Sequence, residues 1–133
     1  SHFMKALSRT NNFIDEKHLT MGYFCDSGDI FNIAKNYENV RIIKGKFSET
    51  LKQFDDKISV LFLDCDLYQS YTDCLCELFP KISSGGSVVF DEYYSLKYPG
   101  ARFAVNKFFR DKSGTFEVYY SPNGFERVCF VKS

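Results

Sequence analysis

Two short apolar runs, each ending in a pair of acids and separated by one amphipathic segment, restrict the fold of this chain more than anything else in it. Ile58-Ser59-Val60-Leu61-Phe62-Leu63 stops at Asp64-Cys65-Asp66, and Ser87-Val88-Val89-Phe90 stops at Asp91-Glu92. Runs of this composition read as strands buried on both faces of a parallel sheet. Between them Tyr71, Cys74, Leu75, Leu78 and Phe79 recur at the spacing of a helix laid on a sheet, opened by Ser70 and ended near Pro80. Gly85-Gly86 then predicts a tight turn. Strand, helix and strand with short links form a βαβ unit, whose crossover makes the two strands parallel, so both finish at one edge of the sheet. If the two strands are neighbours they lie about 4.8 Å apart, and Asp64, Asp66, Asp91 and Glu92 would then converge.

Asp64 and Asp66 are two residues apart and share one side of an extended chain. Like charges at a buried strand end repel unless a cation or a proton lies between them. The residues alone leave two readings. One is a divalent-metal or proton-handling site at the carboxyl edge, where open α/β sheets bind ligands. The other is one acid capping the next helix and one facing water.

The remaining segments fit a single α/β domain, with residues 1–28 irregular and 29–133 forming the core. Asp29 is expected to cap a helix through Tyr37, and residues 40–44 to form a short strand. Ser48 is expected to cap a helix ending near Phe54. A Tyr-rich loop, 93–100, sits over the acidic edge as a wall or lid. A further helix carries Ala101, Ala104, Val105, Phe108 and Phe109 on one face. The end reads as an antiparallel hairpin, 115–120 and 125–131, around Ser121-Pro122-Asn123-Gly124.

Seventeen basic residues balance seventeen acidic ones, which argues against a nucleic-acid or membrane-surface partner held mainly by charge. No apolar run reaches the length of a membrane span, and no secretory leader is expected. The cysteines, Cys25, Cys65, Cys74, Cys76 and Cys129, are odd in number and lack C-x-x-C spacing. Buried, reduced thiols in a cytoplasmic protein are therefore expected. Cys74 and Cys76 fall on a helix, where i and i+2 do not face each other. His18 is expected at the surface.

V-R-I-I-K-G-K-F (40–47), L-D-C-D-L-Y-Q-S (63–70), P-K-I-S-S-G-G (80–86), V-F-D-E-Y (89–93) and P-G-A-R-F-A-V (99–105) occur in this order. The set resembles the macrocin O-methyltransferase (TylF-type) family, class I S-adenosylmethionine-dependent enzymes that methylate sugar hydroxyls. The resemblance implies a Rossmann-like class I methyltransferase sheet. It implies magnesium held by Asp64, Asp91 and Glu92, and Asp66 as the catalytic base. Glu92 stands where Asp is common. The implied reaction is loss of a proton from a small-molecule hydroxyl acidified at the cation, then in-line attack on the cofactor's methyl.

The family's first strand with its Gly-rich cofactor loop, and its second strand with a ribose-binding acid, have no counterpart here. By resemblance this is the C-terminal portion of such an enzyme, and its S-adenosylmethionine-binding residues are unassigned. In family order the two absent strands lie between 40–44 and 59–64. The gap is expected to close by re-pairing, by a partner chain in a homo-oligomer or strand-exchanged dimer, or within a longer protein. Two other readings stay open. One is a metal-dependent glycosyltransferase holding a nucleotide-sugar diphosphate at Asp64-x-Asp66. The other is a non-catalytic methyltransferase-like partner subunit with solvated acids.

Overall fold

The computed structural model describes residues 28–120, 122, 124 and 126–133. In chain order these form α1 (Gly28–Ala34), α2 (Phe47–Thr50), β1 (Ile58–Leu63), α3 (Tyr68–Leu78), β2 (Ile82–Phe90), α4 (Pro99–Phe108), β3 (Gly114–Tyr120) and β4 (Glu126–Lys132). The described sheet has the order β1-β2-β4-β3. β1 and β2 pair in parallel from Val60↔Ser87 to Leu63↔Phe90. β2 pairs antiparallel with β4, and β4 with β3. This is the expected partial α/β sheet with a C-terminal antiparallel hairpin.

One face of the sheet carries the core. Leu63, Val88, Phe90, Val128 and Phe130 pack with Tyr71, Leu75 and Leu78 of α3 and with Ala101, Ala104 and Val105 of α4. Phe109, just past α4, lies 4.1 Å from Phe130 between ring centroids. Burying each large apolar side chain contributes about 1.5–3 kcal/mol, so this layer holds the ends of β1 and β2 rigidly. α4 starts with Pro99 in its first turn, where a missing N–H costs nothing.

Several expectations are corrected. Gly85-Gly86 is not a turn between elements, because both residues lie inside β2. The register moves from Ile58↔Ile82 to Val60↔Ser87, so β2 carries three extra residues in a bulge. Gly85 supplies the positive φ of +76°. A Cβ on Gly86 would stand 2.8 Å from Ile82 Cγ2 and 3.0 Å from Ser59 O. The bulge therefore requires the glycine pair.

Residues 40–44 form no strand, and the expected re-pairing with β1 does not occur. β1 is an edge strand with β2 as its one neighbour in the described sheet. It is not buried on both faces either, since Val60 is 64% and Phe62 54% exposed. An apolar run records what a strand can bury, not what is present to cover it.

The first helix begins at Gly28 rather than behind an Asp29 cap, and it stops at Ala34. Asn36 and Tyr37 donate to Ile33 O and Ala34 O in tightened i→i−3 turns. α2 is entered from Lys46, with Ser48 inside it, and no side chain caps it. Thr50 Oγ1 instead donates back to Lys46 O at 3.0 Å. α3 starts at Tyr68 behind Leu67, so Ser70 lies in its first turn.

Cys65, Cys74, Cys76 and Cys129 are free. Among the described residues no helix is long and apolar enough to cross a membrane. Expectations for His18, Cys25, Ser121, Asn123 and Phe125 fall outside the described residues.

Candidate active site

The parallel pair β1 and β2 finishes in register, with Asp91 N donating to Leu63 O at 3.0 Å. That link brings together the acids that follow each strand. Asp64, Asp91 and Glu92 each offer a carboxylate oxygen, and these oxygens lie within 4.8 Å of one another. Asp64 is exposed, Asp91 half-buried and Glu92 only 4% exposed.

Asp66 takes a different position from the one an extended chain would give it. β1 ends at Leu63, and Leu67 N donates to Cys65 O at 2.5 Å. That bond closes a γ-turn on Asp66, whose φ is +57°. Such a conformation in a non-glycine residue costs on the order of 1–3 kcal/mol and is concentrated at functional sites. Asp66 is not one of the three clustered acids, yet its charge reaches Glu92.

Burial is the first cause that pushes the Glu92 carboxyl up, to about 8. The Tyr71 phenol opposes that shift, while a hydrogen bond with Asp64 and the charges of Asp91 and Asp66 add to it. Without a cation Glu92 thus holds a proton at neutral pH, which relieves the repulsion in the cluster. Cys65 lies between the two Asp residues. A hydrogen bond with Cys74, then burial, pushes its thiol up, so it is no thiolate nucleophile.

Two neighbours of the cluster carry no signal in the motif. Tyr71 reads in sequence as one more apolar position on α3, yet its hydroxyl contacts both Leu63 O and Glu92. Arg127 Nη2 meets Asp91 Oδ1 at 2.9 Å. Extending the antiparallel register Phe90↔Val128 by one residue places Arg127 opposite Asp91, but only once the β2–β4 pairing is known. The loop after Glu92 turns back on it through Ser95 N to Glu92 O at 3.0 Å. Tyr93 Oη donates to Asn106 Oδ1 at 2.7 Å, which ties the loop to α4.

Three carboxylates, one of them buried, form an all-oxygen donor set that fits a hard divalent cation such as Mg²⁺. Arg127 offsets part of their charge at Asp91.

The sequence profile of the macrocin O-methyltransferase (TylF) family matches residues 15–118. The chain belongs to this family. It is 40% identical over 72 residues to demethyldecarbamoylnovobiocin O-methyltransferase of Streptomyces niveus, 53% of this chain and 27% of that enzyme. It is 42% identical over 57 residues to 8-demethyl-8-(2,3-dimethoxy-alpha-L-rhamnosyl)-tetracenomycin-C 4'-O-methyltransferase of Streptomyces olivaceus, 42% of this chain and 22% of that enzyme. The solved structure of the O-methyltransferase NovP superposes with a TM-score of 0.64 at 30% identity, covering 79% of this chain and 42% of NovP. The matched stretches span less than a third of the length of the two Streptomyces enzymes and 42% of NovP, and the sheet of this chain is part of the methyltransferase fold.

Proposed function

We propose that this chain is the acceptor-binding and proton-handling part of an S-adenosylmethionine- and Mg²⁺-dependent O-methyltransferase acting on a small hydroxylated molecule. The observation that carries this reading is the meeting of Asp64, Asp91 and Glu92 at two parallel strand ends in a chain of the TylF family. A glycoside acceptor is favoured because one relative's name specifies a rhamnosyl group.

Asp64, Asp91 and Glu92 would hold the cation, which when bound supplies a positive charge that makes a nearby hydroxyl more acidic. Asp66 takes the hydroxyl proton, and its place on a sharp turn beside the cluster suits a base that must reach an acceptor. Arg127 limits repulsion among the acids. The β1 edge, with Val60 and Phe62 exposed, receives a partner strand from a second chain or from a longer form of the protein. That added part carries the S-adenosylmethionine site.

The test is formation of S-adenosylhomocysteine from S-adenosylmethionine, Mg²⁺ and a panel of glycosides. It is run with this chain, with a full-length form, and with Asp66→Asn in each. Activity in the full-length form that Asp66→Asn lowers at least a hundredfold supports the proposal. No turnover by either form on any hydroxylated acceptor overturns it.

A further inference from the structure

Tyr71 is wholly buried on α3, and its hydroxyl is the only part of it that a phenylalanine would not supply. A buried hydroxyl is costly unless its bonds are made, and the polar contacts of this one lead to the two strand ends. Its single proton has two acceptors in reach, Leu63 O at 2.9 Å and Glu92 Oε2. Its oxygen receives the Glu92 N–H at 3.4 Å. Leu63 immediately precedes Asp64, and Glu92 immediately follows Asp91. Leu63 O also accepts from Asp91 N, so one carbonyl and one phenol join the backbone origins of all three clustered acids.

Glu92 has one more rotatable bond than an aspartate and a correspondingly larger entropy to lose on being ordered. It enters the cluster from the buried side, where α3 packs. We propose that Tyr71 is a positioning residue for the cation site, restraining the Glu92 carboxyl so that it meets Asp64 and Asp91 before a cation arrives. This rests on the cation reading above. Groups that orient a ligand in this way change metal affinity about 10–100-fold when removed.

Mn²⁺ affinity, measured by calorimetry on the wild type, Tyr71→Phe, Glu92→Ala and the double variant, tests it. The expected result is at least a tenfold loss in Tyr71→Phe and no further loss when Tyr71→Phe is added to Glu92→Ala. Equal affinity in the wild type and Tyr71→Phe overturns the inference while leaving the cation reading intact. A loss that persists in the Glu92→Ala background marks a merely structural role and also overturns it. A wild type that binds no Mn²⁺ overturns both. The wild type supplies a readout that needs no folded variant, the hydroxyl proton resonance of Tyr71. It is expected to shift when Mg²⁺ is added, and an unmoved resonance in the Mg²⁺-loaded chain contradicts the proposal.

Discussion

Adding Mg²⁺ to the cation-free chain is expected to expel a proton from Glu92. Burial, reinforced by Asp64, Asp91 and Asp66, pushes this carboxyl up to about 8. A ligand carboxylate must be ionised to bind a hard cation, so binding and deprotonation are linked. A group titrating near 8 is about nine-tenths protonated at pH 7 and about one-tenth at pH 9. Binding should therefore release about 0.9 proton at pH 7 and about 0.1 at pH 9, and apparent affinity should rise about tenfold between them. Calorimetric titration at each pH, in two buffers of different ionisation enthalpy, counts the protons directly. Identical heats in both buffers at pH 7 refute the reasoning, as does unchanged proton release in Glu92→Gln.

The same shift sets how stability depends on pH in the cation-free chain. The folded Glu92 carboxyl titrates above its ordinary value, so its contribution is whole below about 4.5 and is lost as pH rises through about 8. Tm should fall from pH 6 to pH 9, and Glu92→Gln should flatten that fall, read by thermal circular dichroism. Gly86→Ala should cost about 1–3 kcal/mol by overpacking, because the new Cβ would meet two backbone oxygens, Ser83 O at 2.9 Å and Ser59 O at 3.0 Å. Chemical denaturation gives its magnitude, and an unchanged midpoint would contradict the bulge geometry. Phe62→Lys on the open edge should reduce concentration-dependent self-association in sedimentation velocity with less than about 0.5 kcal/mol change in stability.

The βαβ unit was legible because its signals are local. Apolar runs, helical spacing and two pairs of acids lie within 35 residues of sequence, and the crossover rule makes the two strands parallel. Convergence of Asp64 with Asp91 and Glu92 follows once the two strands are neighbours, as β1 and β2 are. What the sequence hid depended on surroundings. Residues 40–44 have strand composition, but a strand exists only beside another strand, and among the described residues none pairs with the outer edge of β1. Asp66 shares a side with Asp64 only while the chain stays extended, and the γ-turn ends that at Cys65. Tyr71 counts as apolar in any periodicity, although its hydroxyl carries its significance. Arg127 reaches Asp91 through a pairing of β2 with β4 that no local motif encodes. Gly85-Gly86 reads in sequence as a tight turn between elements; instead Gly85 supplies a positive φ and Gly86 a close approach inside a strand.

On the proposed function, three carboxylates at two parallel strand ends share one cation. Crystals grown with Mn²⁺ and measured at a wavelength where manganese scatters anomalously test it most directly. One anomalous peak per chain is expected, in contact with Asp64, Asp91 and Glu92 together. A peak elsewhere, or none at saturating Mn²⁺, would contradict the proposal.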